Sequence, residues 1–389
     1  MIQNKNSRDA VVVAYGRSAM CRANKGSFAG THPVEYAGQT LAGVLGRLPG
    51  LDVTVIDDVM VGCATPQDEC FYNVGRLIAQ AAGLPDEVTA HTINRFCSSG
   101  LQAIAHAANA IMAGQMDVVV AGGVERMTGM NMNPNPAFMD TKLAEKKPDT
   151  YLAMGLTAEN VAQQYGITRQ EMDQMAVESH AKAAAAQEAG KFAAEIVPVT
   201  VDTPDGPKTV TVDEGVRKGT TLETLAQLKP CFKADGSVTA ATSSQMTDGA
   251  AFVVLMARET AEKLGYAPIA RFVQFSVGGV PAGVMGLGPI KAVPKAMERI
   301  GLTVDDMDII ELNEAFASQA LACIRDLHLP VEKVNPNGGA MALGHPMGAT
   351  GAFLTCKALN ELSRTGGKYA LITMCIGGGM GAAGVFEME

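Results

Sequence analysis

Short apolar runs alternate with stretches of helical spacing from the start of the chain. Residues 9–15 (DAVVVAY) and 56–62 read as strands, and 33–48 between them carry apolar positions at helical intervals. A second helical stretch lies near 73–82, and 89–96 reads as a strand. Leu101, Ile104, Ala105, Ala108, Ile111 and Met112 then share one face of a helix that opens at Ser98 and stops at Gly114. The apolar run 117–121 closes a β-α-β unit and puts Cys97 at its strand-to-helix junction.

The character changes over 122–244. Met, Asn, Pro and Lys become frequent (MTGMNMNPNP, KLAEKKPD), followed by an Ala-rich helix over 170–189, a Val/Thr segment and a turn at 204–206. This stretch reads as an insertion carried by the first unit, whose sheet resumes at 250–256. Alternation then returns: 308–312 strand, 314–327 helix, 338–351 a Gly-rich loop, Ala352, Cys356 and Leu359 on one helical face, and 369–374 and 383–386 strands. Such alternation predicts mainly parallel sheets covered by helices. The expected division is 1–121 with 245–270, the insertion 122–244, and 271–389.

Composition narrows the function classes. A formal charge of −9 argues against non-specific nucleic-acid binding, while a local basic pocket could still take an anionic ligand. No run reaches the roughly 18 apolar residues of a membrane-spanning helix, and the polar start MIQNKNSRDA lacks a secretory apolar core, so a cytoplasmic protein is expected. Only 18% of residues are charged in an Ala- and Gly-rich chain, which favours a homo-oligomer, a dimer or tetramer. Eight cysteines occur without CxxC pairs or Cys/His zinc spacing, so reduced thiols and no metal site are expected.

Four local signatures carry chemistry. In Asn94-Arg95-Phe96-Cys97-Ser98-Ser99-Gly100 a cysteine precedes a helix, whose free N–H groups and dipole favour thiolate and offer an oxyanion site; a buried helix-start cysteine has the same position. Asn313-Glu314-Ala315-Phe316-Ala317 follows a strand, where open α/β sheets place ligand groups, or where Asn simply caps a helix. The run from Gly338 to Gly351 holds His345 in a Gly framework that allows close backbone approach to a ligand. Cys375-Ile376-Gly377-Gly378-Gly379-Met380-Gly381 lacks the helix of a dinucleotide fingerprint and the Lys-Ser/Thr of a P-loop, and reads as a second active thiol in a glycine turn.

In order and spacing, NRFCSSG, NEAFA, GGAMALGHPMGATG and CIGGGMG resemble the thiolase family over essentially the whole chain. The resemblance implies an α/β fold of two similar βαβαβαββ halves, five strands each, in a layered αβαβα core with an inserted loop domain. It implies that Cys97 is the nucleophile, His345 its activator, Asn313 the holder of an oxyanion-site water, Cys375 the second acid/base with a thiol pKa of roughly 8.5, and Gly377 an oxyanion donor with Cys97. It sets Arg217 against the adenine of coenzyme A and Ser244 along the pantetheine arm, with Met154, Met285 and Phe316 around the thioester. Coenzyme A enters as a substrate and no cofactor is bound permanently. The finer pattern, including Ala153 where acetoacetyl-CoA thiolases more often have His, is similar to the degradative 3-ketoacyl-CoA thiolases of fatty acid β-oxidation. Thr239-Ala240-Ala241-Thr242-Ser243-Ser244 departs from the family's TAGN-type run, and Phe353 from a commonly basic position. A β-ketoacyl synthase lacks the CIGGGMG cysteine. A biosynthetic acetoacetyl-CoA thiolase and a silent acyl-CoA-binding protein on the same scaffold are the alternatives.

Overall fold

The computed structural model describes residues 5–132 and 135–389; the first four residues of the polar N-terminus and 133–134 of MTGMNMNPNP lie outside them. The described strands are β1 (Ala10–Arg17), β2 (Cys21–Arg22), β3 (Asp58–Gly62), β4 (Thr89–Ile93), β5 (Val118–Glu125), β6 (Val199–Thr203), β7 (Gly206–Val210), β8 (Thr247–Ala257), β9 (Ala270–Gly279), β10 (Ile309–Leu312), β11 (Tyr369–Ile376) and β12 (Met380–Met388). They run in the order β10-β11-β12-β9-β1-β8-β5-β3-β4, with β2 paired to β8 and a separate β6–β7 hairpin.

This order contains one pattern twice. In the N-terminal half β8 pairs antiparallel with β1 and β5, and β3 lies parallel to β5 and β4. In the C-terminal half β12 pairs antiparallel with β9 and β11, and β10 lies parallel to β11. A single parallel bridge, Ile310 to Val334, stands where β4 stands in the first half, so the expected fifth strand is reduced to one residue. Among the described residues the halves join edge to edge through Val11–Arg271 and Val12–Ala270.

The sheet is mixed rather than mainly parallel. Its antiparallel pairs centre on β8 and β12, each running opposite to both of its neighbours. β12 returns on β11 after the three-residue turn 377–379. In the first half the equivalent return, β5 to β8, spans 126–246. That connection holds the helices Thr141–Lys146, Met154–Tyr165, Arg169–Glu188 and Leu222–Ala226 and the β6–β7 hairpin. β5 thus continues past Gly122 to Glu125.

Helices Ser99–Met112 and Met347–Thr365 form the middle layer, and the second is buried on every side from Met347 to Leu362. Such a helix belongs in a core. Pro33–Leu45 and Val74–Ala81 cover the outside of the first half. Gly288–Ile300, an element the sequence pattern did not show, and Ala317–Asp326 cover the second. The expected Gly-rich loop is largely helical, with Ala340–Leu343 and the start of Met347–Thr365 inside it.

Gly351 in this run, with Gly100 opposite, serves helix packing rather than ligand approach. A Cβ on Gly100 would sit 2.9 Å from the Gly348 carbonyl oxygen and 2.9 Å from the Ala352 nitrogen. One on Gly351 would sit 2.6 Å from Leu101 Cβ. The two central helices therefore meet backbone to backbone, which only glycine permits at these positions.

Arg17 ties the insertion to this core. Its buried guanidinium donates to Asp213 at 2.6 and 2.9 Å and to Glu195 at 2.8 Å. It also lies over the rings of Phe192 and Phe353, at 5.4 and 4.9 Å from the centroids. Phe353, where the family commonly has a basic residue, is thus a core platform for a cation supplied by β1.

Candidate active site

Cys97 and His345 occupy equivalent places in the two halves, each two residues before a central helix. On the first side a short 3-10 turn, Phe96–Ser98, precedes the helix proper at Ser99. Phe96 takes φ +43°, a left-handed conformation costly for a bulky residue. Local bonds hold it there: Phe96 N–H donates to Asn94 Oδ1 at 2.8 Å, and Ser99 Oγ donates to the Phe96 carbonyl at 2.6 Å. Asn94 Nδ2 donates to the Ala64 carbonyl at 3.0 Å. The motif's polar residues thus build the turn that presents Cys97.

On the second side, Gly344 has φ +100° and a Cβ there would run into the Thr247 side chain, so glycine is required. The His345 N–H donates to the Gln245 carbonyl at 3.1 Å and Thr247 Oγ1 at 3.2 Å. The ring Nδ1 lies 2.6 Å from Thr350 Oγ1. Asn313 Nδ2 stands 3.5 Å from Nδ1 and 3.4 Å from Nε2. Being nearly equidistant, the amide cannot lie along the lone pair of either nitrogen and packs against the ring instead. Its Oδ1 is buried without a hydrogen-bond partner, a group that calls for a water or ligand.

Cys375 lies on β11, and the turn to β12 begins at Gly377, whose N–H is directed at the Cys97 sulfur. The turn needs glycine at Gly379, where φ is +88° and a Cβ would meet the Val280 carbonyl. At Gly377 a Cβ would meet nothing closer than 3.7 Å.

These groups converge on one cavity of about 240 Å³. Of the sequence-predicted residues, Cys97, His345, Cys375, Gly377, Ser244, Met154, Met285 and Phe316 line it. Asn313 backs it through His345. Arg217 does not line it; it is exposed, with its N–H donating to His180 Nδ1 at 3.1 Å. Lys142, Lys146 and Lys147 are exposed and also lie off the cavity wall. The remaining wall is mostly apolar, with Met127, Met132, Met246, Met347 and Phe232 in it. In the departing segment Thr239 N–H donates to Thr242 Oγ1 at 2.8 Å, and Ser243 bridges to Phe316. Ser244 reaches the cavity from there.

The electrostatics correct one expectation. The helix start does not lower the Cys97 pKa; burial pushes the thiol up to about 11, assisted by the Glu125 carboxylate and opposed only in part by the N–H groups of Gly377 and Cys97. Part of its surface faces the cavity, but protein rather than bulk water surrounds it. Burial also raises the fully enclosed Cys375 well above a free thiol, with Cys97 and Cys323 adding to it, rather than leaving it near 8.5. Burial lowers His345 to about 4. The resting pair is therefore thiol and neutral imidazole. With the thiol held well above the imidazole, proton transfer from Cys97 to His345 is uphill until substrate adds its own charge-stabilising contacts.

Sequence reasoning missed Glu125. This fully buried carboxylate accepts from Ala64 N–H at 2.9 Å, Thr65 Oγ1 at 2.5 Å and Gly348 N–H at 2.6 Å. It ties the Cys63–Thr65 loop to the start of the His345 helix. An acid ending an apolar strand run, VVVAGGVE, was the available signal. All eight cysteines carry free thiols. Among the described residues no group of three His, Cys, Asp or Glu side chains could hold a metal, and no helix is long and apolar enough to cross a membrane.

The family profile "Thiolase, N-terminal domain" matches residues 10–259, and "Thiolase, C-terminal domain" matches 266–388. The chain belongs to the thiolase family. Among its relatives, the 3-ketoacyl-CoA thiolase of Bacillus subtilis (strain 168) is 48% identical over 98% of this thiolase and 100% of its own length. The peroxisomal 3-ketoacyl-CoA thiolase of Homo sapiens is 47% identical over 98% and 91%. The dimeric peroxisomal thiolase of Saccharomyces cerevisiae superposes with a TM-score of 0.92 at 39% identity, covering 99% of both chains. The Bacillus anthracis acetyl-CoA acetyltransferase superposes at 0.91 with 40% identity over 98% and 99%. The layered thiolase fold read from the motifs is the fold of these structures.

Proposed function

We propose that this thiolase is an acetyl-CoA C-acyltransferase that cleaves 3-ketoacyl-CoA with coenzyme A, through an acyl group carried on Cys97. The observation that carries the reading is the convergence of two cysteines, a neutral histidine and the Gly377 N–H on one apolar cavity. His345 Nε2 takes the Cys97 proton and the sulfur attacks the 3-keto carbon. The N–H groups of Cys97 and Gly377 hold the oxyanion. The C2–C3 bond breaks, its electrons pass to the enolate of acetyl-CoA, and Cys375 delivers a proton to C2. A water on Asn313, together with His345, holds the enolate oxygen. Coenzyme A then gives its thiol proton to Cys375, its sulfur takes the acyl group from Cys97, and the Cys97 thiolate so released takes its proton back from His345. Run backwards, these steps are a Claisen condensation.

The raised thiol pKa fits this scheme. Each cysteine rests protonated, and a charged intermediate forms only when substrate brings compensating interactions. Ser244 in the wall would follow the pantetheine arm, with Met154, Met285 and Phe316 around the thioester; exposed Arg217 would meet the adenine end outside the cavity. Relatives of the 3-ketoacyl-CoA type at 45–48% identity, and Ala153 in the cavity wall, support the degradative branch. No cofactor is held permanently. A homodimer is supported by the dimeric yeast structure and by the adjacent, exposed Phe71 and Tyr72. A cytoplasmic location is supported by eight free thiols, the state of a reducing compartment. The test is loss of 3-ketoacyl absorbance with coenzyme A across a chain-length series. Turnover of acetoacetyl-CoA alone would move the protein to the biosynthetic branch, and turnover of none would make it a binding protein.

A further inference from the structure

We infer that Thr350 is a positioning residue that fixes His345 in the tautomer able to deprotonate Cys97. The inference rests on the proposed role of His345 as base and adds what sets its proton.

A neutral imidazole carries one N–H, and only the form with hydrogen on Nδ1 leaves Nε2 free to accept a proton. The partner of Nδ1 decides which form prevails. Here that partner is not a carboxylate or a carbonyl but a hydroxyl, Thr350 Oγ1, at 2.6 Å. A hydroxyl can donate or accept, so its own hydrogen must be placed before the tautomer is known. The structure offers it an acceptor: Thr350 Oγ1 donates to the Pro346 carbonyl, one helical turn back, at 2.9 Å. With its hydrogen committed there, the hydroxyl has only lone pairs to offer Nδ1. Nδ1 then carries the N–H.

Other neighbours do not supply this. Asn313 Nδ2 lies almost equally far from both ring nitrogens, at 3.5 and 3.4 Å, and distinguishes neither. His345 and Thr350 are both buried, so water does not compete for the bond. When Nε2 takes the Cys97 proton, the imidazolium has an N–H at both nitrogens, and the bond to Thr350 persists with a charged donor. No proton leaves for Thr350 and no atom changes place. Helix geometry explains why a residue five positions on can do this: Thr350 lies in the first turn of the buried helix, over the Pro346 carbonyl beside the ring.

Three measurements test the inference. Solid-state 15N spectra of histidine-labelled wild-type protein, with His345 assigned by loss of its signals in H345N, should show Nδ1 protonated and Nε2 bare at pH 7. Nε2 protonated with Nδ1 bare would overturn it. In thiolysis, Thr350→Val, which keeps the shape and removes the hydroxyl, should lower kcat by about 10²-fold, in the range of general-base contributions, with KM changed less than about threefold. Thr350→Ser, which restores the hydroxyl, should recover kcat to within about fivefold of wild type. A Thr350→Val protein with wild-type kcat, or a Thr350→Ser protein as slow as Thr350→Val, would also overturn it. If wild-type protein turns over no 3-ketoacyl-CoA, the proposed function fails, while the 15N spectrum still reports on Thr350.

Discussion

Gly351→Ala tests whether the site depends on how closely the central helices approach. The added Cβ would lie 2.6 Å from Leu101 Cβ and 2.9 Å from Leu101 Cα. Backbone cannot rotate away as a flexible side chain can, so the helices must separate. Overpacking of this kind costs about 1–3 kcal/mol. Removing a helical glycine returns about 1 kcal/mol, which leaves a net loss of at most about 2 kcal/mol. The larger effect falls on activity. Cys97 and His345 stand at the heads of these two helices, and a displacement of about 1 Å between reacting groups costs about 10²-fold. The assay is kcat/KM for thiolysis beside the melting temperature. Gly30→Ala is the control, since a Cβ there has nothing within 4 Å. Wild-type activity and stability in Gly351→Ala would refute the claim that backbone contact sets the catalytic separation.

The Cys97 thiol near 11 makes its reactivity steeply dependent on pH. Because the folded value is raised, the neutral thiol dominates at pH 7. Site-resolved alkylation of Cys97 by iodoacetamide should rise about tenfold per pH unit from 7 to 10, and a plateau below pH 8 would contradict the burial argument. In the glycine turn, Gly379→Ala should destabilise the fold by more than about 1 kcal/mol through its positive φ and the Val280 carbonyl, as urea midpoints would show. Gly377→Ala should change stability by less than about 0.5 kcal/mol, because its Cβ has room; equal losses for both would contradict the turn geometry.

The site was far more legible in the sequence than the sheet that holds it. Cys97, His345, Cys375 and Gly377 stood out because their neighbours are unusual: a polar turn, a run of glycines, a cysteine ending an apolar strand. All four line the cavity. The glycines misled in one respect. Glycine marks any close backbone approach: Gly100 and Gly351 approach another helix, and Gly348 approaches the Cys63–Ala64 loop, rather than a ligand. The direction of the β8 and β12 pairings was not legible, since strand direction depends on connections and not on local pattern. β9 went unseen because ARFVQFSVGG mixes polar and apolar positions without clear alternation, and half of it is only partly buried. The acidity of Cys97 was misjudged for a physical reason. Position before a helix is visible in a sequence, whereas enclosure is a property of the assembled fold, and here enclosure wins. Glu125 was missed because its partners lie on other elements, and Thr350, although inside GGAMALGHPMGATG, because its contact with His345 depends on the helix that starts there.

The central claim is that Cys97 carries the acyl group. Intact-protein and peptide mass spectrometry of protein quenched during turnover of a 3-ketoacyl-CoA tests it most directly. The account predicts a mass increase equal to the shortened acyl group, located on the Cys97 peptide, removed by added coenzyme A and absent in Cys97→Ala. An acyl group found on Cys375 or another residue, or persisting in Cys97→Ala, would contradict it.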